Sequence, residues 1–349
     1  MKEYFGIGVM SGTSLDGVDV AACLFKKESG RWNYDIIQSK TYSYSDSLYS
    51  KLLKSPSFSG LELSMLNIEY GRFIGSLVKQ FNAEYSIVPE FIANHGYTVF
   101  HTPNQGLTFQ IGSGAEIAAT TGIKTICDFR TKDVALGGNG APLVPIGDEL
   151  LFCQYGACLN LGGFSNISYK EYGKRVAYDI CPVNILLNYL SEKIGLKYDA
   201  NGELGKSGKI IDSLLLDLNE LDFYKQLGPK SLGREFLDTH VLPLINSNMD
   251  VKNLLRTAYE HISIIISKTL KAINGNVLIT GGGVHNSFLI ELIRKKSNVD
   301  LAIPDLKTID FKEALIFAFL GVLYLEDEPN CLASVTGAKN DTIGGALYK

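Results

Sequence analysis

Apolar runs alternate with glycine-rich polar turns along this chain. Residues 5–10 and 18–25 are apolar and flank a loop of glycine, serine, threonine and aspartate, which predicts two strands joined as a hairpin. The same pattern returns at 157–169, where Gly162 and Gly163 separate two further runs. Two such units, roughly 150 residues apart, indicate a duplicated domain.

The remaining pattern predicts an α/β protein in which short buried strands alternate with helices. Helical spacing of apolar residues is clearest over 254–273, which predicts an amphipathic helix. Further predicted strands cover 35–39, 91–93, 125–128, 176–178, 277–279 and 344–348, and further predicted helices cover 61–81, 185–194, 287–296 and 310–325.

Length and charge narrow the class of protein. A chain of 349 residues exceeds one ordinary hydrophobic core, so two domains are expected. The net charge of -4 gives no indication of a nucleic-acid or membrane-surface partner. Neither a signal peptide nor a membrane-spanning run is recognisable, so we expect a cytoplasmic protein. The six cysteines mostly lie in apolar runs without metal-site spacing, which predicts buried thiols.

The first hairpin loop is the strongest candidate site. Gly12 and Gly17 permit backbone conformations closed to other residues, and free N–H groups in such a loop form a concave nest for phosphate oxygens. The hydroxyls of Thr13 and Ser14 add donors, and Asp16 can orient a hydrated divalent cation. An ordinary hairpin turn uses the same residue types, so the loop alone leaves both interpretations open.

Two polar segments follow predicted strands. His95 and Thr98 come directly after residues 91–93, at a position where α/β sheets bind ligands, although a single histidine is also common as a structural residue. Arg130 follows residues 125–128 and offers a planar fork of donors for a carboxylate or a phosphate. The glycine-rich segment 137–140 fits a domain linker, a loop of close approach, or both.

Three further features carry possible chemistry. Asp179 follows 176–178 at a predicted strand end, where a carboxylate serves either as a general base or as a turn or helix cap. Residues 281–283 are three glycines between a strand and a helix, which suits either a phosphorylated ligand or close packing. Asp310 and Glu313 resemble a capping box at a helix start, which by itself explains Glu313.

The order of these features resembles the actin, sugar kinase and heat-shock-ATPase superfamily. Within it, residues 9–19 resemble the signature of the anhydro-N-acetylmuramic acid kinases. The resemblance extends over the chain at 95–98, 128–135, 140–145, 160–167, 229–235, 281–286 and 334–338.

The resemblance implies a fold and a reaction. The fold is α/β, with two duplicated actin-like (ribonuclease H-like) domains, each with a central mixed sheet, and an ATP cleft between them. We expect the first domain to comprise residues 1–128 with about 312–349, and the second 129–311. The reaction opens the 1,6-anhydro bridge of a cell-wall-derived amino sugar with water and phosphorylates the released O6, using ATP and Mg²⁺. A homodimer is compatible with this family.

The resemblance also implies roles for individual residues. Asp179 is the base, and Glu313 helps to orient substrate or water. Arg130 fits the lactyl carboxylate, and Asp16 contacts Mg²⁺ through water. Sugar contacts are expected from His95, Thr98, Arg130 and Asn184. ATP contacts are expected from Gly12, Thr13, Ser14, Leu15, Asp16, Gly17, Val18, Asp19, Gly162, Gly163, Gly281, Gly282 and Gly283.

The chain departs from the family pattern at two places. The family has Asp-Thr-Gly-Pro-Gly-Asn around its base, whereas this chain has Ile180, Cys181 and Val183 at three of those positions. The glutamine that usually follows His-Gly is Tyr97 here. A kinase for another amino sugar, or a nucleotide- or sugar-binding sensor without catalysis, is therefore the alternative. A chaperone-type ATPase would need a peptide-binding domain, for which little chain remains.

Overall fold

The computed structural model describes residues 2–226, 228–245 and 249–349. The strands are β1 (Lys2–Ser11), β2 (Val18–Glu28), β3 (Arg31–Tyr42), β4 (Phe91–Asn94), β5 (Tyr97–Thr102), β6 (Leu107–Ile111), β7 (Thr125–Cys127), β8 (Ala157–Leu161), β9 (Phe164–Glu171), β10 (Lys174–Pro182), β11 (Val277–Thr280), β12 (Leu301–Ala302) and β13 (Ala346–Tyr348). The helices are α1 (Asp46–Lys54), α2 (Gly60–Tyr85), α3 (Gly114–Thr121), α4 (Thr131–Ala135), α5 (Pro145–Leu150), α6 (Asn184–Glu192), α7 (Glu203–Ser207), α8 (Asp212–Asn219), α9 (Arg234–Phe236), α10 (Val251–Leu270), α11 (Ser287–Lys296), α12 (Leu306–Leu325) and α13 (Ala333–Thr336).

The chain divides into two compact units, residues 1–151 with 311–349 and residues 152–310. The first unit has a sheet in the order β13-β7-β4-β1-β2-β3, and the second has a sheet in the order β10-β9-β8-β11-β12. In both sheets three antiparallel strands are followed by two strands that run parallel to the first one. The predicted α/β class, with a mixed sheet in each half of a duplicated chain, is confirmed.

Close packing places α12 against the first sheet. A Cβ at Gly8 would lie 1.8 Å from the Ala314 carbonyl oxygen, and one at Gly321 would lie 2.8 Å from the Phe91 ring. Glycine at both positions therefore lets α12 cross β1 and β4 at backbone distance. This contact brings the first turns of α12 within unit 1 to the carboxyl ends of those strands.

The second unit buries its sheet beneath α10. The predicted spacing of α10 is confirmed, because its buried residues include Leu255, Ile262 and Ile266, which join the core of β8, β10 and β11. Burial of such aliphatic side chains contributes about 1.5–3 kcal/mol each. Cys23, Cys158, Cys181 and Cys331 are buried free thiols, while Cys153 is exposed.

Three sequence predictions differ from the structure. Asp179 does not follow a strand end, because β10 continues past it to Pro182 with a bulge after Asp179. The helix predicted from Asp310 begins at Leu306 and is interrupted at Phe311, where φ is -118°. Its start is capped by Asp305, whose carboxylate accepts from the Thr308 N–H at 3.1 Å, so the predicted capping box is wrong.

The compact units also differ from the predicted domains over residues 129–151, which lie in the first unit. The cause is the buried Asp133, which accepts a hydrogen bond from the Thr336 hydroxyl at 2.8 Å and so ties this segment to the C-terminal part of unit 1. Among the described residues, none of the helices combines the length and the apolar character that crossing a membrane requires.

Candidate active site

The loop between β1 and β2 is anchored at one residue and exposed at the others. Ser11 pairs with Val18, so residues 12–17 form the turn. Leu15 is 7% exposed and packs into the core of unit 1, with φ at +58°, whereas Thr13, Ser14 and Asp16 are exposed. The buried leucine fixes the loop and leaves its polar groups available to a ligand.

One side of this loop packs against β3 and against Tyr44, which follows that strand. A Cβ at Gly17 would lie 2.7 Å from Thr41 Cγ2, so only glycine fits there. The Tyr44 hydroxyl donates to the Gly17 carbonyl at 3.3 Å, and the Thr41 hydroxyl donates to Asp19 Oδ1 at 2.6 Å. At Gly12, in contrast, the nearest atom to a Cβ is Ser14 Oγ at 3.4 Å. The loop is therefore held rigidly at its end and open at its tip.

His95 and Arg130 form one hydrogen-bonded unit beside this loop. His95 Nδ1–H donates to the Ser11 carbonyl at 3.3 Å, and its Nε2 accepts from Arg130 Nε and Nη2 at 3.1 and 2.9 Å. Burial, with the Arg130 charge as the second cause, lowers the pKa of His95 to about 3. His95 is therefore neutral at physiological pH, and both ring nitrogens serve to position Arg130.

The Arg130 guanidinium keeps free capacity for a ligand. Its Nη1 donates to the Gly140 carbonyl at 2.5 Å, and Gly140 is held in turn by its N–H to Asp133 Oδ2 at 2.8 Å. Three of the five guanidinium N–H bonds thus point to these protein acceptors, which leaves two for an anion. Segment 137–140 is accordingly a support for Arg130, in agreement with the close-approach interpretation.

Glu313 lies on α12 beside the same group of charges. It is exposed to solvent, and four residues later Phe317 packs on the His95 ring at a centroid distance of 4.7 Å. Although the side chain reaches solvent, the protein around the Glu313 carboxyl displaces part of its hydration, and this desolvation is the largest cause that raises its pKa. The Asp19 charge raises it further, and Arg130 and Lys312 oppose the rise. Unit 1 therefore gathers the first hairpin loop, Arg130 and Glu313 at the carboxyl ends of β1, β4 and β7.

The second unit brings its two glycine loops together. A Cβ at Gly281, where φ is +86°, would lie 2.4 Å from Asn160 Oδ1, and one at Gly283 would lie 2.7 Å from Leu161 Cβ. The triple glycine therefore packs directly on the second hairpin. This contact also has a structural role, because side chains at both positions would push the loops apart.

Asn184 joins this group from the start of α6. Its N–H donates to the Gly162 carbonyl at 3.2 Å, and its amide Nδ2 donates to the Leu161 carbonyl at 3.2 Å. The Ile185 N–H donates to the Gly163 carbonyl at 3.2 Å. Asn184 therefore holds the hairpin, a role that the sequence did not indicate.

Asp179 stands on β10 and is half-buried. Its N–H donates to the Lys230 carbonyl at 2.9 Å, and its Oδ2 accepts from the Leu232 N–H at 2.7 Å. Burial raises the pKa of the Asp179 carboxyl, and the Leu232 hydrogen bond partly opposes this effect. A fixed carboxylate with a raised pKa is a stronger proton acceptor than a solvated one, which suits a general base.

The residues that depart from the family pattern point away from solvent. Ile180, Cys181 and Val183 are at most 2% exposed and belong to the core of unit 2. Tyr97 is 6% exposed and lies edge-on to Tyr70 at 6.4 Å. These substitutions are therefore accommodated by packing.

Thr98 belongs to a polar surface that the sequence analysis missed. It pairs with Gln110 across the β5–β6 hairpin, and Gln110 Nε2 donates to the Thr98 hydroxyl at 3.3 Å. The signal was the alternation of apolar and polar residues over 107–111, which places Thr108 and Gln110 on one face of a strand.

Within the part of the chain that the structure describes, no cluster of three or more His, Cys, Asp or Glu side chains is arranged to hold a metal ion directly.

Comparison with known proteins identifies the family. The family model described as anhydro-N-acetylmuramic acid kinase matches residues 3–349. The proteins of that name from Pasteurella multocida (strain Pm70) and Pseudomonas syringae pv. syringae (strain B728a) are 36% and 33% identical to the chain. The first alignment covers 100% of this chain and 98% of the relative, and the second covers 99% of both.

Solved structures are more distant. An activator of the 2-hydroxyisocaproyl-CoA dehydratase from Clostridium difficile with bound ADPNP aligns with a TM-score of 0.46 at 12% identity, over 93% of this chain and 97% of that one. A ROK family glucokinase from Streptomyces griseus in complex with glucose and AMPPNP aligns with a TM-score of 0.40 at 11% identity, over 90% and 97%. On the full-length family match and the two relatives, this chain belongs to the anhydro-N-acetylmuramic acid kinase family.

Proposed function

We propose that this protein is an ATP-dependent kinase that hydrolytically opens 1,6-anhydro-N-acetylmuramic acid and phosphorylates its O6. The product is N-acetylmuramic acid 6-phosphate, so the reaction belongs to cell-wall recycling, and we place it in the cytoplasm. Besides membership of the family, the observation that carries the proposal is the Asp179 carboxylate, which is held by the Leu232 N–H and has a raised pKa.

The chemistry requires one base and one in-line phosphoryl group. Asp179 accepts a proton from water as the water oxygen bonds to C1 of the sugar. The bond between C1 and O6 breaks, and O6 bonds to the γ-phosphorus of ATP while ADP leaves. Asp179 is suited to this step because burial favours its protonated form, so the carboxylate gains from accepting the proton.

The phosphates of ATP suit the first hairpin loop, where Gly12 is open and Thr13 and Ser14 present exposed hydroxyls. In the second unit, the glycines at 162–163 and 281–283 are further candidates for contacts with the nucleotide. Mg²⁺ retains several waters in such sites, which agrees with the exposed carboxylate of Asp16 as a partner through water. When bound, the ion neutralises charge on the β- and γ-phosphates.

The sugar carboxylate suits Arg130, which has two N–H bonds left for a charge-assisted contact. His95 acts through Arg130 and is therefore a positioning residue. Glu313, with a raised pKa and an exposed side chain, suits an interaction with a sugar hydroxyl or the attacking water. Thr98 provides a further hydroxyl, and Asn184 acts by holding the second hairpin.

Product analysis tests the proposal. The purified protein, ATP, Mg²⁺ and 1,6-anhydro-N-acetylmuramic acid should yield ADP and sugar 6-phosphate in equal amounts. N-Acetylglucosamine, which has neither the anhydro bridge nor the lactyl group, is the control substrate. Absence of sugar phosphate with the anhydro sugar at high enzyme concentration would refute the proposal. Phosphorylation of the control sugar instead would favour a kinase for another amino sugar.

A further inference from the structure

The β5–β6 hairpin carries a polar face of which only Thr98 has a role in the proposed function. Tyr97 points into the core of unit 1, and side chains alternate along a strand, so Thr98 points to the opposite face. Gln110 is its direct partner across the hairpin. A bulge at Val99 shifts the pairing by one residue, which brings His101 opposite Thr108 on the same face.

Hydrogen bonds join these side chains into one surface. Gln110 Nε2 donates to the Thr98 and Thr108 hydroxyls at 3.3 and 2.9 Å, and His101 Nδ1 lies 3.1 Å from Thr108 Oγ1. Both N–H bonds of the Gln110 amide are thereby directed within the hairpin. Its carbonyl oxygen Oε1 keeps its acceptor capacity for a ligand.

The same surface lies within the electrostatic reach of Arg130. Burial lowers the pKa of His101, and the Arg130 charge lowers it further. His95, which holds Arg130, and Thr98 stand three residues apart on the segment that links β4 to β5. Unit 1 therefore presents neutral hydrogen-bonding groups next to a cation that has two free N–H bonds.

This arrangement matches a ligand that carries a carboxylate and, close to it, an amide. We propose that Gln110 is a specificity-determining residue that accepts a hydrogen bond from the acetamido N–H of the sugar while Arg130 binds its lactyl carboxylate. The inference rests on the proposed function and adds to it the group that selects an N-acetylated substrate. It also gives this chain a carboxamide near the sugar, although Tyr97 occupies the position where the family usually has glutamine.

The assignment is tested by changing Gln110 in the protein and, separately, the acetamido group in the sugar. Gln110→Ala and Gln110→Met are compared with wild type on 1,6-anhydro-N-acetylmuramic acid and on an analogue with a hydroxyl in place of the acetamido group. Met keeps the length of the side chain and removes only the amide. Gln105→Ala, at an exposed position in the same hairpin, is the matched control.

Both Gln110 variants should lower kcat/KM on the natural sugar about 10- to 100-fold, the range for loss of a hydrogen bond in a binding site. Turnover of the analogue, already slow with wild type, should change less than threefold, because the two losses act on one contact and are not additive. KM for ATP should stay at the wild-type value for Gln110→Met. Its melting temperature should fall only by the loss of the two hydrogen bonds inside the hairpin. Gln105→Ala should behave as wild type.

Two results overturn the inference. An unchanged kcat/KM of Gln110→Met on the natural sugar does so directly. An equal loss on both sugars does so as well, since Gln110 would then only support the hairpin. These outcomes differ from a failure of the proposed function, which wild type alone decides. If wild type does not phosphorylate the natural sugar, the proposed function fails, and this inference fails with it.

Discussion

Replacement of Asp179 by Asn should separate catalysis from stability. The amide keeps the size of the side chain, and its oxygen still accepts the Leu232 N–H, which lies 2.7 Å from Oδ2 in the wild-type protein. It removes the ability to take a proton from water. A positioned base contributes roughly 10²–10⁴-fold, so kcat should fall by about that factor while KM for ATP stays within about threefold.

Whereas kcat falls, the thermal stability of the Asp179→Asn variant should rise at neutral pH. Burial raises the pKa of Asp179 in the folded protein above its value in the unfolded chain. Such a group holds its proton more tightly when folded, so its contribution to stability is largest at low pH and declines as pH rises through the folded pKa. At pH 7 the wild-type carboxylate therefore destabilises the fold relative to a neutral amide.

Steady-state kinetics and thermal melts between pH 4 and 8 measure both effects. The variant should melt at or above the wild-type temperature at pH 7, and this difference should shrink toward acidic pH. Asp217→Asn, at an exposed position in the same unit, should match wild type in both assays. Activity of Asp179→Asn within tenfold of wild type would refute the base assignment. A large loss of stability would show that the amide cannot replace the carboxylate in this contact.

Three further substitutions probe the rest of the site. His95→Ala should raise KM for the sugar about tenfold with KM for ATP unchanged, because Arg130 loses its neutral acceptor; equal changes in both constants would contradict this role. Glu313→Gln should lower kcat by about tenfold or more without a change in KM for ATP; a kcat equal to that of wild type would remove Glu313 from the mechanism. Gly281→Ala should destabilise unit 2 by about 1–3 kcal/mol in denaturant melts, since its Cβ would lie 2.4 Å from an amide oxygen of β8. Gly282→Ala is the control and should be as stable as wild type. Equal stability of the two variants would show that the contact at Gly281 is not tight.

The sequence predicted the elements that carry their own signal. The hairpins at 5–25 and 157–169 are bounded by glycine turns and follow apolar runs, so both were found and their shared topology is confirmed. The position of Arg130 after a short strand was also predicted, because a strand end is visible as the point where an apolar run meets polar residues. Each of these features depends on residues that are close together in the sequence, so the pattern of apolar and polar residues is enough to predict it.

Features that depend on tertiary contacts were missed. The bulge that keeps Asp179 inside β10 depends on the pairing of that strand with β9. The cap that Asp305 provides for α12 was missed for another reason, because Asp310 offers a competing local pattern. The neutral state of His95 follows first from its burial and second from the charge of Arg130, which lies 35 positions away. The polar face of Thr108 and Gln110 was also missed, although residues 107–111 alternate between apolar and polar, and its relation to Arg130 is visible only in the fold.

Isotope tracing is the most direct test of whether this protein couples opening of the ring by water to phosphorylation of O6. The protein is incubated with ATP, Mg²⁺ and 1,6-anhydro-N-acetylmuramic acid in H₂¹⁸O, and the product is analysed promptly by mass spectrometry. The expected product is N-acetylmuramic acid 6-phosphate with one ¹⁸O at C1, none in its phosphate, and one ADP for each sugar phosphate. Appearance of ¹⁸O in released inorganic phosphate, with the anhydro sugar unchanged, would contradict this coupling.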